Sequence, residues 1–164
     1  MPKTRSKIKG LAALLTLVRA AKRAGKTIVT TNGCFDVLHV GHTRNLSYAK
    51  SLGDVLIVGV NSDASVRALK GRRRPILPAR ERAELLASLA AVDYVLIFGG
   101  GTPNAWLNKI KPHVHVKGAE QRAGKMAEAA VMRRHGGKIV LAPYHKGRST
   151  TAVIEKIIRT HRGR

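Results

Sequence analysis

The sequence has one cysteine, few acidic residues, few aromatic residues and no long apolar run, and each scarcity excludes a class of protein. The single cysteine, Cys34, cannot form an internal disulfide or a cysteine-rich zinc site. No run of about 18 apolar residues occurs, so the sequence predicts no membrane-spanning helix. The apolar part of the basic N-terminus is interrupted by charge and lacks a convincing cleavage site, so we expect no signal peptide and a cytoplasmic protein.

The shortage of acidic residues leaves the chain strongly basic. Lysine and arginine number 31 against 9 aspartate and glutamate residues, which gives a formal net charge of +22. Such a surface attracts polyanions, at least at low salt. Two interpretations are open: a contact with RNA or a ribosome, or an enzyme that acts on phosphorylated substrates. We favour the enzyme, because aromatic residues for base stacking make up only 4% of the chain and no known nucleic-acid-binding motif is present.

Strands and helices alternate five times along the chain. Apolar runs over 27–30, 55–60, 94–98, 114–116 and 138–142 predict strands, and segments with apolar residues at helical spacing lie between them. The pattern predicts an α/β fold, a Rossmann-like five-stranded parallel sheet with helices on both faces. For 164 residues we expect one domain over residues 10–164, after a basic and loosely ordered leader over residues 1–9.

One stretch, residues 31–42, joins the first predicted strand to a helix over 43–52 and organises the rest of the chain. Its two histidines, His39 and His42, lie at the helix entrance, where free N–H groups and the helix dipole attract phosphate. Imidazoles there could donate hydrogen bonds to a phosphate whose charge grows in a transition state. Gly41 lets a ligand approach the backbone closely. For His-x-Gly-His taken alone, a turn with two surface histidines is the alternative.

Other ligand-binding patterns are missing. The first predicted strand is not followed by Gly-x-Gly-x-x-Gly, and no Walker lysine motif occurs, so the sequence does not favour dinucleotide-binding or P-loop proteins. The seven histidines include no helical pair with a carboxylate, so we predict no metal bound by the protein itself. Cys34 has no evident base partner, and we interpret it as a small packing residue rather than a nucleophile.

Several stretches together carry a family resemblance. They are Thr-Asn-Gly-Cys-Phe-Asp at 31–36, His-Val-Gly-His at 39–42, Ala-Lys-Ser-Leu-Gly-Asp at 49–54, Val-Gly-Val-Asn-Ser-Asp-Ala-Ser-Val at 58–66, Ala-Val-Asp-Tyr-Val at 91–95, Val-Lys-Gly at 116–118 and Gly-Arg-Ser-Thr-Thr at 147–151. From residue 31 to about 158 the chain resembles the cytidylyltransferase-like family of His-x-Gly-His nucleotidyltransferases. Within it, the chain is most similar to the adenylyltransferases that act on D-glycero-β-D-manno-heptose 1-phosphate.

The resemblance implies a reaction and a set of site residues. An oxygen of a sugar 1-phosphate would attack the α-phosphorus of ATP, with Mg²⁺ carried by the triphosphate, and pyrophosphate would leave. His39, His42 and Lys50 are the implied catalytic residues, and Asp36, Lys70 and Glu120 the implied sugar-phosphate contacts. The implied nucleotide contacts are Thr31, Asn32, Gly33, Cys34, Phe35, His39, Gly41, His42, Asn61, Asp63, Arg82, Lys117, Gly118, Ser149 and Thr150.

Alternatives stay open beside this hypothesis. A glycerol-3-phosphate cytidylyltransferase-like enzyme has the same signature, and a catalytically idle relative that binds RNA or a ribosome would account for the charge. Asp63 and Arg82 can instead be a surface cap and a salt-bridge partner. Two stretches depart from the family pattern. Ala119-Glu120-Gln121 stands where the family has Gly-Asp-Tyr, and the glycines at 99–101 stand where acidic residues usually precede Thr-Pro. The resemblance therefore does not define the residues of the sugar pocket. Relatives commonly pair, and a homodimer is an expectation from resemblance alone.

Overall fold

Five parallel strands form one sheet in the order β3-β2-β1-β4-β5. The computed structural model describes residues 2–119 and 127–161. The strands are β1 Ile28–Gly33, β2 Val55–Asn61, β3 Tyr94–Phe98, β4 Val114–Lys117 and β5 Lys138–Leu141. All four strand pairings are parallel, which confirms the predicted sheet. β2 is buried along its whole length because helices cover both of its faces.

Helices lie on both faces of this sheet. They are α1 Pro2–Arg5, α2 Leu11–Arg23, α3 Val40–Ser51, α4 Asp63–Lys70, α5 Ala79–Ala87, α6 Asn104–Ile110, α7 Ala127–Arg134 and α8 Thr150–His161. Apolar side chains of α3 and α5 pack on one face of β1 and β2. Those of α2, α6 and α7 pack on the other face. The alternating strands and helices predicted from periodicity are therefore the two-sided α/β arrangement that is observed.

The strand order fixes where a ligand can bind. From β1 the chain passes to β2 on one side, whereas β4 lies on the other side of β1. The order reverses between β1 and β4, so a crevice opens beyond their carboxyl ends. Residues 31–33 end β1 and Lys117 ends β4. The stretch of residues 31–42, which we call the signature, therefore begins at this crevice.

Close packing under the crevice depends on one glycine of β2. A Cβ atom built on Gly59 would lie 2.6 Å from the ring of Trp106 on α6 and 3.1 Å from the ring of Phe98. The two rings are 5.8 Å apart between centroids. Only glycine lets these rings cover the centre of the sheet without a clash, so Gly59 has a packing role rather than a turn role.

The leader differs from the expectation of loose order. Ile8 forms a parallel bridge with Val95, where the Lys9 N–H donates to the Val95 carbonyl at 2.9 Å. The ammonium of Lys7 donates to the carbonyl of Val92 at 2.8 Å, and Ile8 packs against the core. The physical reason is that β3 is an edge strand with unpaired backbone groups, which the leader satisfies. None of the helices within the described residues is long and apolar enough to cross a membrane.

Candidate active site

A cleft of about 1070 Å³ opens at the carboxyl edge of the sheet. The structure brings most of the predicted site residues to its wall, although they are spread over more than a hundred positions of sequence. Those that line it are Thr31, Asn32, Gly33, Cys34, Phe35, Asp36, His39, Gly41, His42, Asn61, Lys70, Lys117, Gly118, Ser149 and Thr150. Three predicted residues are absent from this wall, namely Lys50, Asp63 and Arg82. Glu120 lies outside the described residues.

The two histidines of the signature lie at the first turn of α3. His39 is the N-cap residue, and its Nδ1 accepts the Gly41 N–H at 3.2 Å. This bond leaves Nε2 of His39 available to a ligand. The rings of His39 and His42 are stacked with centroids 3.8 Å apart. A Cβ atom on Gly41 would lie 3.0 Å from the His39 ring and 3.2 Å from Cβ of Arg148, so a larger residue there would crowd both side chains.

Both imidazoles are poor bases in the free protein. Burial, and to a smaller degree the neighbouring His39, lowers the pKa of His42 to about 4. Burial also lowers the pKa of His39 below its ordinary value. Nδ1 of His42 is buried and has no hydrogen-bond partner among the described residues. Phosphate at the helix entrance favours the protonated imidazole, so an anionic ligand would restore the charge that burial removes.

The start of α8 faces the start of α3 across the cleft. Oγ of Ser149 accepts the Ala152 N–H at 3.2 Å, which confirms the predicted helix cap. Oγ1 of Thr150 donates to the backbone carbonyl of Asp36 at 2.6 Å and so holds α8 against the signature loop. Residues at both helix N-termini line the same cleft, and the two helix dipoles therefore favour an anion there.

The Asp36 carboxylate organises the loop between β1 and α3. It accepts hydrogen bonds from the N–H groups of Ile76 and Leu77 at 2.9 and 3.0 Å and forms an ion pair with Arg74 at 2.5 Å. Burial opposes its ionisation, but these donors outweigh burial and hold the pKa of Asp36 below its ordinary value. The carboxylate is thus occupied within the protein. The Asp36 side chain is fully buried in this ion pair. For the sugar-phosphate contact predicted at Asp36, this carboxylate therefore acts indirectly, by shaping the loop.

This loop also contains strained backbone. Phe35 and Val37 have φ angles of 48° and 53°, a region that β-branched valine rarely adopts. Residues in such conformations persist only where surrounding contacts hold them, and they cluster at functional sites. Here the hydrogen bonds that the Asp36 carboxylate accepts, together with the bond from the Thr150 hydroxyl to the Asp36 carbonyl, supply those contacts.

A buried ion pair forms the floor of the cleft at the end of β4. Nζ of Lys117 lies 2.8 Å from Oε1 of Glu128, and each side chain is 8% exposed. The same ammonium donates to Oδ1 of Asn32 at 3.2 Å, which links the ends of β4 and β1. Lys117 therefore reaches the cleft as predicted, already paired with a carboxylate from α7.

Lys50 does not reach the cleft, and the catalytic role predicted for it is wrong in this structure. Its ammonium forms an ion pair with Asp93 at 2.6 Å and donates to the carbonyl of Asp54. Asp54 and Asp93 precede β2 and β3, so this pair lies at the amino edge of the sheet. The reason is the direction of α3, which runs away from the cleft. Eight residues of helix from His42 correspond to about 12 Å.

Arg82 and Asp63 also have structural roles, as the salt-bridge alternative anticipated. The guanidinium of Arg82 is fully buried and lies 2.7 Å from Oδ1 of Asp63. It donates to the backbone carbonyls of Leu77 and Asn61 at 2.9 and 2.8 Å, and to that of Cys34. Arg82 therefore joins the signature loop to the end of β2. The predicted direct contact with a nucleotide is not available to this buried side chain.

Cys34 shows no sign of activation. Burial raises the pKa of its thiol, and the opposing effects of Lys70, Arg82 and Arg74 are smaller. No group of three or more histidine, cysteine, aspartate or glutamate side chains within residues 2–119 and 127–161 could hold a metal ion. The described groups that the cleft wall offers to an anionic ligand are imidazole, hydroxyl, ammonium, guanidinium and backbone N–H groups.

Three charged residues of the cleft wall were not among the predicted site residues. Arg148 lies beside Gly41 and lines the cleft with Arg74 and Glu128. Arg148 stands within the Gly-Arg-Ser-Thr-Thr stretch, so its position next to Ser149 could have indicated it. Glu128 carries no sequence signal, because a single glutamate on a helix is usually a solvated surface charge.

Comparison with known proteins shows the family of this chain. Residues 30–156 match the cytidylyltransferase-like family. The chain belongs to that family. The region of the match contains the predicted signature and both helix entrances of the cleft. This confirms the resemblance inferred from the sequence.

Individual relatives extend the comparison. The bifunctional protein HldE of Geobacter metallireducens is 48% identical over 156 residues, which cover 95% of this chain and 32% of that protein. The chain thus spans about a third of the length of the curated relatives it matches. A lipopolysaccharide core biosynthesis protein from Thermoplasma volcanium has a TM-score of 0.64 and 31% identity, over 74% of this chain and 100% of its own.

A more distant structure shares the fold alone. The pantoate-beta-alanine ligase of Francisella tularensis has a TM-score of 0.58 at 16% identity, and the match covers 88% of this chain and 68% of that protein. Such a likeness at low identity shows that the sheet and its helices are a common scaffold. It assigns no activity to this chain.

Proposed function

We propose that this protein transfers AMP from ATP to heptose 1-phosphate and releases pyrophosphate, which gives ADP-heptose. One observation carries the proposal: the stacked pair His39 and His42 lines one cleft together with Ser149 and Thr150, at the N-termini of two helices. Such an arrangement suits a triphosphate, because helix N-termini, imidazoles and hydroxyls all donate hydrogen bonds to phosphate oxygens.

In the proposed reaction an oxygen of the sugar phosphate attacks the α-phosphorus of ATP. A new bond forms between that oxygen and the α-phosphorus, and the bond between the α-phosphorus and the bridging oxygen breaks. Pyrophosphate leaves with the bonding electron pair. No covalent bond to the protein forms, so positioning and charge stabilisation supply the catalysis. His39 and His42, protonated when the anion is bound, would stabilise the developing negative charge.

Magnesium fits this cleft as a companion of the triphosphate. The described carboxylates of the wall are those of Asp36 and Glu128, and each already neutralises a cation of the protein. Phosphate oxygens and water are therefore the expected ligands, as is usual for nucleotide-bound Mg²⁺. When bound, the ion supplies charge neutralisation of the phosphates. Lys70 and Arg74 stand on the same wall and add positive charge there.

The choice of heptose 1-phosphate rests on similarity. The similarity to HldE and to a protein named for lipopolysaccharide core biosynthesis supports a sugar phosphate of lipopolysaccharide biosynthesis as the substrate. Because the chain matches about a third of the bifunctional relative, we propose that it corresponds to the adenylyl-transferring part. A glycerol-3-phosphate cytidylyltransferase-like activity is the alternative, since the signature and both helix entrances serve it equally well.

Pyrophosphate release tests the proposal. The purified protein with Mg²⁺ is assayed with ATP or CTP, each combined with heptose 1-phosphate or glycerol 3-phosphate. We expect turnover with ATP and heptose 1-phosphate only. His42→Asn should reduce that turnover by about 100-fold, the cost of losing one transition-state donor. Lys50→Met is the matched control, because it removes a cation at the other edge of the sheet. Turnover confined to CTP with glycerol 3-phosphate would establish the alternative.

A further inference from the structure

A second charged region lies at the amino edge of the sheet, opposite the cleft. Basic residues gather where α2 and α7 end and where β1, β4 and β5 begin. We call this region the amino-edge basic face and define it by Lys22, Arg23, Lys26, Lys111, Arg134 and Lys138. All but the half-buried Lys22 are exposed.

Contacts between elements bring these side chains together. Nζ of Lys22 on α2 donates to the backbone carbonyl of Ile110 at 2.9 Å, next to Lys111. The Lys138 N–H donates to the carbonyl of His113 at 3.0 Å, which holds the start of β5 beside the start of β4. Burial, followed by the charges of Lys111, Lys22 and Arg134, lowers the pKa of His135 within this region. Cations from three separate segments therefore act on the same space.

Carboxylates do not balance this charge. Among the described residues, the acidic groups in ion pairs are Asp36, Asp63, Glu84, Asp93 and Glu128, and their partners all lie elsewhere. Asp54 borders the face, but its carboxylate accepts the Thr27 N–H at 2.7 Å. A set of clustered cations without counter-charges is electrostatically costly unless a polyanion neutralises it.

Helix dipoles account for only part of the pattern. Cations in a last helical turn complement the helix dipole, which explains Lys22, Arg23 and Arg134. Lys111 is the C-cap residue of α6 and is favoured in the same way, whereas Lys26 and Lys138 lie beyond the helix ends. The exposed carbonyls of helix C-termini also repel a small anion that approaches the backbone. Long, flexible cationic side chains on such a surface suit an extended polyanion rather than a single phosphate.

We propose that the amino-edge basic face binds nucleic acid through its phosphate backbone while the cleft on the opposite edge remains open. A membrane surface fits less well, because none of the large exposed apolar residues within 2–119 and 127–161 belongs to this face. They are Val40, Leu69, Ile76, Leu85, Leu141, Tyr144, Ile157 and Ile158. Tyr144, the aromatic residue among them, lines the cleft instead. Without aromatic side chains for stacking, the binding should be independent of base sequence.

Duplex binding against salt tests this proposal. The full chain is titrated into a fluorescent 20-base-pair duplex, in RNA and DNA versions, at several salt concentrations. The test variant is Lys111→Glu/Arg134→Glu/Lys138→Glu. The control, Arg80→Glu/Lys156→Glu/Arg159→Glu, reverses three exposed charges on α5 and α8 and lowers the net charge equally. Pyrophosphate release is measured for each protein.

We expect the wild-type chain to bind at about 150 mM salt and the test variant to bind at least about tenfold more weakly. The slope of log affinity against log salt should fall by about 3, one unit for each lost phosphate contact. The control should keep most of the affinity, and all three proteins should keep equal nucleotidyl transfer, which separates this proposal from the proposed function. Equal losses in both variants, no wild-type binding, or binding to anionic vesicles without binding to duplex would each overturn it.

Discussion

The hydroxyl of Thr150 donates to the backbone carbonyl of Asp36 at 2.6 Å, across 114 positions of sequence. This bond joins the start of α8 to the loop between β1 and α3. The two helix N-termini that form the candidate phosphate site are thereby held at a fixed separation. Thr150, which also stands at a helix entrance, therefore helps to position the site.

Removal of this hydroxyl should impair activity more than stability. Thr150→Val keeps the shape of the side chain but leaves the Asp36 carbonyl without its donor. A lost hydrogen bond of about 1 kcal/mol corresponds to roughly fivefold in kcat/KM, with KM for ATP raised. Thr150→Ser restores the donor and should recover most of the activity. Steady-state kinetics decide the matter, and identical kinetics for the valine and serine variants would show that the bond does not position the site.

The Lys50–Asp93 pair should matter for stability and not for catalysis. Both side chains are about one-third exposed, at 31% and 33%, and they lie at the edge opposite the cleft. Lys50→Met should lower the free energy of unfolding by about 1 kcal/mol. Its kcat/KM should stay within about twofold of wild type, because no transition-state contact is removed. Urea unfolding and pyrophosphate release measure the two effects. A large fall in kcat with unchanged stability would return Lys50 to the catalytic set.

Stability should fall on acidification because of His115. Nδ1 of this histidine lies 2.8 Å from the Thr30 hydroxyl, and Nε2 is buried without a partner among the described residues. Burial, and secondarily Lys117, lowers the pKa of His115 to about 3. Between that value and the ordinary value of about 6.5, the unfolded chain binds a proton that the folded chain does not. The stabilisation is therefore present above about pH 6.5 and is lost as pH falls.

Between pH 7 and pH 5 this single group should contribute about 2 kcal/mol to the loss of stability. His115→Asn does not titrate, so its free energy of unfolding should change by about 2 kcal/mol less over the same interval. Urea titrations at the two pH values give the comparison. Any packing loss in the variant cancels because only the difference between pH values is compared. Equal differences for both proteins would contradict the prediction.

The buried pair of Lys117 and Glu128 should behave cooperatively. Glu128→Gln leaves the Lys117 ammonium buried without a counter-charge, which should cost about 3 kcal/mol. The double variant Lys117→Met/Glu128→Leu removes both charges and should recover most of that stability. Its KM for ATP should nevertheless rise, because Lys117 contributes positive charge to the cleft wall. A double-mutant cycle of wild type, Lys117→Met, Glu128→Leu and the double variant, followed by urea unfolding, measures the coupling. Additive losses would show that the two charges do not depend on each other.

Periodicity and turn residues were sufficient to predict the sheet. The strands contain short apolar or β-branched runs, and the helices between them have apolar faces, so local patterns were enough to predict the α/β class and the order of elements along the chain. The signature likewise predicted that His39 and His42 would lie at a helix entrance, because a strand and a helix flank them directly in sequence. These features depend on neighbours within about a dozen residues, which a sequence displays.

The sequence did not show which residues from distant parts of the chain would contact each other. Lys50 follows His42 on the same helix, yet the direction of α3 carries it to Asp93 at the other edge. The buried Arg82 donates to the carbonyls of Cys34 and Asn61, and residues of the leader pair with the free edge of β3. In each case the residue type fits several partners. Only the folded arrangement selects among them, since burial decides which charges must be paired.

By itself, the sequence determined the order of strands and helices along the chain, the helix entrance with its two histidines and the excess of positive charge. The tertiary structure decided which charges meet. It placed Glu128 under Lys117, joined Thr150 to Asp36 and gathered cations from α2, α7 and the strand starts on one face. The physical reason is that periodicity encodes which face of an element is buried, whereas contacts between distant segments depend on how the buried faces stack.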